Sequence, residues 1–373
     1  MIKSRAFWIG LLGSAAFLGI LAFYFVDYEK VGEVLVNANY AYTAPALLLY
    51  TLALWFRTVR WRYLLGPITG GESKRALFPV VVVGYMANNL IPVRIGELMR
   101  AYYLTLREGV STMATFGTVA LERASDVIAL LLLVAIAVLF GAIGVQSTLG
   151  SLAEDVPGGL PVLAFGALLP FIGVFAVVAY VVIVSPTKVR GMLAAMLRFL
   201  SPRLRARVVG TAMNLIAGLT VVRSWRGLVK VIVLSLPVWI SEIAMYYVIA
   251  LGFDIRSAFD SQLQFIAAIV AFGTAANLAG VLPSSAGSWG PFDFFGAAAL
   301  TALGLDAEIA AAYALTVHVV LWAPVTVAGA LLLLADRTSM ANLARGARAA
   351  RRQGGGSERV NDGFQQRHAE INP

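Results

Sequence analysis

The sequence of 373 residues contains no cysteine and only two histidines, His318 and His368. Disulfide bonds, thiol nucleophiles and cysteine metal ligands are therefore excluded. Two histidines are also too few for a histidine-based metal cage. No nucleotide-binding loop or acidic metal-binding motif is recognisable either, so the sequence predicts no metal, no other cofactor and no catalytic residues.

Charged residues are scarce as well, at 13 per cent against 60 per cent apolar residues, and the mean hydropathy is +0.81. These values lie far outside the range of soluble globular domains. Apolar runs of about 20 residues can cross a bilayer as helices, so the sequence predicts an all-α polytopic membrane protein. The apolar runs cover residues 7–26, 44–56, 78–91, 112–140, 160–184, 228–251, 263–282 and 309–335.

Acidic residues are absent from residues 185–230, which contain nine basic residues. The bias is reversed in four other segments, which together hold nine carboxylates and two basic residues. Because Lys and Arg are retained on the cytoplasmic side, the basic segment is predicted to lie inside, together with both termini, in a cytoplasmic membrane. The first run is too long for a signal peptide and is read as an uncleaved span. The acidic segments are 27–43, 141–160, 253–261 and 304–308.

Two apolar stretches are interrupted by the same Pro-x-x-x-Gly pattern where a helix should still be inside the bilayer. Basic residues flank the first stretch, including Arg57, Arg60 and Arg62 before it, and acidic segments flank the second. Each stretch is therefore predicted to be a broken or re-entrant hairpin, or a tight pair of spans, and the two enter from opposite faces. The interruptions are at Pro92, Gly96, Pro283 and Gly287.

Matched surroundings of the two breaks favour an inverted-topology repeat. Gly109 and Gly304 both open a long apolar helix after the hairpin, 195 residues apart. The alternative is that Gly and Pro simply recur in membrane helices. The repeat predicts six full spans plus the two hairpins. The predicted divisions are a first span and outer loop (1–43), a first repeat (44–184) with a cytoplasmic-side hairpin (76–107), a basic amphipathic segment (185–227), a second repeat (228–335) with an outer hairpin (262–303), and a disordered tail (336–373).

Arg94, Glu97 and Arg100 follow the first break at three-residue spacing, which places them on one face of a helix. An ordinary solvated helix start with a weak ion pair would explain them. An anion gate on the cytoplasmic side would also explain them, because guanidinium groups bind oxyanions in a bidentate manner.

Glu122, Arg123 and Asp126 lie about ten residues inside an apolar run. A charge near the middle of a span costs roughly 2.5 to 3.5 kcal/mol, so such residues usually mark an interior pathway. Alternatively, residues 112–121 lie at the interface and a short span begins near Val127.

Further polar residues fall inside apolar segments. Glu242 and Asp293 are predicted interior polar sites, whereas His318, 195 residues after Arg123, is favoured as a hydrogen-bonded packing residue. Carbonyls freed at the breaks need partners in lipid. Proton coupling through the carboxylates is conceivable but not required. The candidate partners at the breaks are Asn89, Asn277, Ser284 and Ser285.

Residues 190–217 alternate Met and Leu with Arg, which predicts a basic amphipathic helix on the anionic inner leaflet. Orientation already accounts for this charge, so nucleic acid is not predicted as a partner.

Several of these motifs occur together in one family. Arg60-Trp61-Arg62, Pro92-x-Arg94-x-Gly96-Glu97-x-x-Arg100, Glu122-Arg123-x-x-Asp126 and Pro283-x-x-x-Gly287 resemble the lysylphosphatidylglycerol synthase transmembrane, or flippase-like, family over residues 5–335. The family's best understood members join such a region to an aminoacyl-transferase domain, for which this sequence has no room. The resemblance therefore implies translocation of a phospholipid, isoprenoid-linked or hopanoid-like lipid.

The leading hypothesis is a lipid translocase in which Arg94, Arg100 and Arg123 receive an anionic headgroup. Two alternatives stay open: a membrane-embedded lipid-modifying transferase with Glu97 or Asp126 as base, and a non-catalytic partner of a separate lipid-modifying enzyme.

Overall fold

The structure is a computed structural model that describes residues 5–22, 26–69, 77–91, 95–139, 186–217, 224–280 and 286–335. Over these ranges the chain is helical, with short 3-10 turns and without β-strands. The helices are α1 (Arg5–Ile20), α2 (Tyr28–Asn37), α3 (Thr43–Thr69), α4 (Leu77–Leu90), α5 (Ile95–Glu108), α6 (Thr112–Leu139), α7 (Pro186–Met196), α8 (Pro202–Ala217), α9 (Trp225–Gly252), α10 (Gln262–Ala279), α11 (Pro291–Ala302) and α12 (Ala307–Ala335).

Among the described residues, three helices are long and apolar enough to cross a bilayer, namely α9 from Arg226, α10 and α12. Two more, α3 and α6, have 27 and 28 residues but carry charged side chains. At 1.5 Å per residue each exceeds the roughly 30 Å of the hydrocarbon core. The chain is therefore an integral, all-helical membrane protein.

Helix α3 extends well past the apolar run that ends at Phe56, and it continues to Thr69. The sequence analysis counted Arg57 and Arg60 only among the basic residues that precede the first break, and the structure places both of them in α3. Their residues are 4 and 0 per cent exposed inside the bundle. A buried cation needs an opposite charge, and the physical reason for this placement is a set of carboxylates on α6 and α9.

Helices from the first part of the chain pack against helices from the second part. Helix α3 lies against α9, α4 lies against α12, and α6 contacts both α9 and α10. Aromatic residues of α9, α10 and α12 fill one apolar core, in which Tyr246, Phe272 and Tyr313 are fully buried. A second core joins α3, α4, α5 and α6 around Trp61 and Met99.

Only part of each predicted break lies within the described residues. Pro92, Arg94, Pro283, Ser284 and Ser285 lie outside them, as do residues 140–185 and the predicted tail from residue 336.

The two break glycines serve different purposes. Gly287 has a φ of 78°, a left-handed angle that favours glycine. Gly96 lies inside α5 and is not among the positive-φ residues. A Cβ atom at Gly96 would lie 2.5 Å from the Asn88 N atom and the Gly84 O atom. Gly96 is therefore required because α4 and α5 approach each other closely.

Candidate functional site

A chain of ion pairs runs through the bundle where α3, α5, α6 and α9 meet, and we call it the ionic network. Arg60 of α3 is at its centre and is fully buried. Its Nη1 atom donates to Asp126 Oδ1 at 2.6 Å and to Ser235 Oγ at 2.8 Å. Its Nη2 atom is 3.2 Å from Glu122 Oε1. One arginine thereby connects three helices.

Arg100 of α5 extends the network on one side. Its Nη2 atom donates to Glu122 Oε2 at 2.6 Å. The guanidinium carbon lies 4.2 Å from the ring centroid of Trp61, a cation–π contact that favours the charged form. The Trp61 indole donates in turn to Thr118 Oγ1 at 3.0 Å. Arg100 is 3 per cent exposed, so this end of the network is closed.

Arg57 connects the network to α9. It forms an ion pair with Glu242, and its Nη1 atom is 3.6 Å from Asp126 Oδ2. Glu242 Oε1 also accepts a 2.8 Å hydrogen bond from the Tyr246 hydroxyl. That hydroxyl accepts a hydrogen bond of 3.1 Å from Asn277 Nδ2. Among the described residues, the Asn277 side chain donates to the Tyr246 hydroxyl and to the Gly273 carbonyl of its own helix.

Arg123 and Glu97 are the more exposed members of the network, with 35 and 20 per cent of their side chains exposed. The Arg123 Nε atom is 3.3 Å from Glu97 Oε1, and its Nη1 atom is 3.3 Å from Asp126 Oδ2. The Nη2 atom is 3.2 Å from both Glu122 Oε1 and the Tyr85 hydroxyl. The pair of Arg123 and Glu97 is therefore the accessible end of an otherwise buried system.

The network is balanced in charge. Four arginines face four carboxylates, so within the described residues no guanidinium of the network is left without an acidic neighbour. Burying charges is costly unless they are paired, and this balance makes the arrangement tolerable inside the bundle. The members are Arg57, Arg60, Arg100, Arg123, Glu97, Glu122, Asp126 and Glu242.

One predicted grouping needs correction. Glu97 and Arg100 do not form one gate face, because Arg100 turns into the bundle towards Glu122 while Glu97 pairs with Arg123. Glu122 and Asp126 of α6 are 0 and 4 per cent exposed, since three helices supply cations to them. The location of residues 112–121 at the membrane interface stays a prediction.

A second polar cluster lies between α11, α12 and the turn that follows the second break. His318 Nδ1 is 2.8 Å from Asp293 Oδ1, and His318 Nε2 is 2.9 Å from the Gly287 carbonyl oxygen. The other carboxylate oxygen of Asp293 accepts from the Gly290 amide at 2.9 Å. The Trp289 ring stacks on the imidazole with centroids 4.0 Å apart. We call these five residues the hairpin cluster.

Asn89 connects the two halves of the chain. Its Nδ2 atom donates to the Trp322 carbonyl at 3.2 Å and to Thr326 Oγ1 at 3.0 Å. The Trp322 indole returns a hydrogen bond of 3.2 Å to the Asn89 carbonyl. The last turn of α4 is thereby bound to α12 through both backbone and side chain.

Arg57, Arg60, Tyr85, Trp239 and Tyr246 are site residues that the sequence analysis did not identify. For the two arginines a signal existed, because they are three residues apart directly after an apolar run and so share a helix face. Trp239, which donates to Asp126 Oδ1 at 3.1 Å, has no such signal. Among the described residues, no group of three or more His, Asp or Glu side chains is arranged to hold a metal ion.

Comparisons with known proteins identify three similar proteins. The chain is 27 per cent identical over 298 residues to the glycosyltransferase AglD of Haloferax volcanii, covering 76 per cent of this chain and 47 per cent of that protein. It is 32 per cent identical over 114 residues to a UPF0104 membrane protein of Methanocaldococcus jannaschii, covering 30 and 34 per cent of the two chains. A UPF0104 membrane protein of Methanothermobacter thermautotrophicus is 31 per cent identical over 120 residues, or 32 and 34 per cent of the two chains.

The matched segments thus span about half or less of the length of these relatives. No solved structure matches the chain. The family model of the lysylphosphatidylglycerol synthase transmembrane region matches residues 7–329, which carry the ionic network and the hairpin cluster. The chain therefore belongs to the family of the lysylphosphatidylglycerol synthase transmembrane region.

Proposed function

We propose that the protein is a flippase-like lipid translocase that moves an anionic or lipid-linked substrate between the leaflets. The observation that carries this proposal is the buried, charge-balanced ionic network with an accessible end at Arg123 and Glu97. Ionisable residues inside a membrane bundle usually mark a substrate pathway, and this network contains eight of them. A relative named as a glycosyltransferase supports a lipid-linked substrate for this class of membrane region.

The balance of charge suggests how an anionic headgroup would bind. A phosphate oxygen has the same preference for guanidinium as a carboxylate does, so the headgroup would displace Glu97 from Arg123. Asp126 and Glu122 would keep the rest of the guanidinium in place. Arg94, the remaining cation predicted at this site, would add to the attraction.

We further propose the inverted repeat, with α3 to α6 matching α9 to α12. In this repeat α3 corresponds to α9, α4 to α10 and α6 to α12. The helix packing supports it, because the contact of α4 with α12 has its counterpart in the contact of α10 with α6, and α3 packs against its own counterpart α9. The proposed topology has six spans and two hairpins from opposite faces, with both termini in the cytoplasm and residues 185–227 on the inner leaflet. The substrate would be a phospholipid, an isoprenoid-linked or a hopanoid-like lipid.

Leaflet exchange in proteoliposomes tests the proposal. Purified protein is reconstituted with labelled phosphatidylglycerol, a polyprenyl phosphate or a neutral hopanoid-like lipid, and exchange is followed by quenching from outside. We expect faster exchange of an anionic lipid, lost in Arg123→Gln and kept in Arg226→Gln, a matched control at an exposed arginine. Failure to accelerate every lipid class would contradict the proposal.

A lipid-modifying transferase is the second candidate, favoured by the name of the Haloferax relative and by the half-buried carboxylate of Glu97. Turnover of a lipid-linked sugar in detergent, abolished by Glu97→Gln, would establish it. If the protein alone does neither, co-purification with a separate lipid-modifying enzyme would indicate a non-catalytic partner.

A further inference from the structure

We infer that His318 and Asp293 form a proton-binding site that holds the turn of the outer hairpin in place. The sequence analysis favoured a packing role for His318. Its contacts indicate more than a packing role, because each ring nitrogen lies within hydrogen-bonding distance of an oxygen atom. Asp293 Oδ1 lies 2.8 Å from Nδ1, and the Gly287 carbonyl oxygen lies 2.9 Å from Nε2.

These contacts fix the number of protons. A carbonyl oxygen only accepts, so Nε2 must carry a hydrogen to bond Gly287. The contact between Nδ1 and Asp293 then needs a hydrogen as well, on the ring or on the carboxyl group. Imidazolium beside carboxylate and imidazole beside carboxylic acid contain the same number of protons. In either description the pair holds one proton more than a neutral imidazole beside an ionised carboxylate.

No other charged group competes for this proton within the described residues. Asp293 is the acidic partner in ion-pair contact with His318. Helices α4, α10 and α11 contain no other charged residue, and the nearest parts of α1 and α4 present Ser14 and Asn89, which are neutral. Stacking of Trp289 on the imidazole ring adds a favourable contact for the cationic form.

Loss of the proton would act on the turn rather than on Asp293. A neutral ring can keep one N–H, and a hydrogen bond to a carboxylate is roughly twice as strong as one to a neutral carbonyl. Asp293, held by the Gly290 amide, therefore keeps the proton on Nδ1. The lone pair of Nε2 would then face the Gly287 oxygen, and that contact would break.

The turn is built so that it needs this support. Gly287, Ser288 and Gly290 have φ angles of 78°, 65° and 95°, of which the serine angle is strained. A Cβ atom at Gly287 would lie 2.9 Å from Trp322 Cδ1, and Trp322 exchanges hydrogen bonds with Asn89 of the other half. Release of the turn would thus alter the packing of Trp322 and, through it, the contact between α4 and α12. Its use as an energy-coupling step in transport rests on the proposed function, whereas the proton site itself does not.

Two measurements test the site on the full chain. The other histidine is His368, so a His368→Gln background leaves one imidazole to observe. In the ¹⁵N spectrum of labelled histidine we expect both ring nitrogens to be protonated or hydrogen-bond shared, and Nε2 to lose its proton as the pH is raised from about 5 to about 9. An Nε2 atom that lacks a proton throughout this range would overturn the inference.

The second measurement reports on the turn. Because the chain has no cysteine, a nitroxide on Ala286→Cys labels the turn at one position. We expect its mobility to rise with pH, and this dependence to be lost in His318→Gln, whose amide can still donate to Gly287 but does not titrate. Asp293→Asn should also lose it, and Asp306→Asn, at the start of α12, should keep it. Equal pH dependence in all variants would overturn the inference.

The two possible failures are distinguishable. If no lipid is exchanged under any condition but the ring and the label titrate as described, the proton site stands and the transport proposal fails. If lipid exchange occurs without any pH dependence of the label, the transport proposal stands and the proton site is excluded.

Discussion

The two halves of the bundle place a cation and an acid in comparable positions but give them different chemistry. Arg123 on α6 pairs with Glu97 of the preceding short helix, and His318 on α12, 195 residues later, pairs with Asp293 of the short helix before it. At the first pair 35 per cent of the arginine side chain is exposed, whereas the second pair is buried. The first is suited to binding an anion and the second to controlling a turn.

The difference follows from what surrounds each pair. Arg123 is one end of a network in which three further arginines need acidic partners, so Glu122 and Asp126 are fixed by charge balance. His318 has a single acidic neighbour and aromatic rings around it. Arg123 therefore lies among further ion pairs, whereas His318 lies among aromatic rings.

Removal of Arg60 should have the largest effect on stability of the substitutions considered. Arg60→Gln leaves Glu122 and Asp126 with less positive charge in a dry site, and loss of one partner of a buried pair costs about 3 to 5 kcal/mol. Thermal unfolding in detergent measures it, with Arg226→Gln as the control at an exposed arginine. Equal melting temperatures for the two variants would show that the network does not stabilise the first half.

Substitution of the two break glycines, Gly96 and Gly287, compares the steric tolerance of the two breaks. Gly96→Ala would place a methyl group 2.5 Å from backbone atoms of α4, and because backbone atoms cannot rotate away we expect about 1 to 3 kcal/mol of destabilisation. Gly210→Ala is the control, since nothing lies within 4 Å of its Cβ position, and it should stabilise α8 by up to about 1 kcal/mol.

The steric conflict created by Gly287→Ala is smaller than that created by Gly96→Ala. The left-handed angle costs about 1 to 2 kcal/mol, and the neighbour is a Trp322 side chain that can shift. We therefore expect it to destabilise less than Gly96→Ala in the same unfolding assay. The reverse order would mean that the outer turn, not the α4–α5 contact, is the rigid one.

The sequence was sufficient for the helical membrane fold, the family and the buried character of α6, because hydropathy and intramembrane charges are local signals. It did not identify Arg57 and Arg60 as site residues. Their positions after an apolar run indicate only a shared helix face, and the acidic residues of α6 and α9 that make their burial possible lie far along the chain. The role of Gly96 was missed for the same reason, because close approach of α4 and α5 is a tertiary property.

Asn89 should show an intermediate effect. Asn89→Ala removes two donated hydrogen bonds to α12, each with a net contribution of about 1 kcal/mol. Unfolding should detect this loss, and the nitroxide at residue 286 should become more mobile at low pH as well. An unchanged label would indicate that the α4–α12 contact and the outer turn move independently.

Arg123→Gln should have the smallest effect on stability and the clearest effect on exchange. Partly exposed ion pairs contribute about 0 to 1 kcal/mol, and Asp126 and Glu122 keep Arg57, Arg60 and Arg100 as partners. Exchange of an anionic lipid should nevertheless fall to the rate of protein-free vesicles, because the accessible cation is gone. Glu97→Gln should act in the opposite direction, since it removes the competitor of the headgroup while leaving Arg123 charged. If both variants slow lipid exchange equally, Glu97 positions Arg123 and is not displaced by the headgroup. That result would contradict the proposed displacement of Glu97.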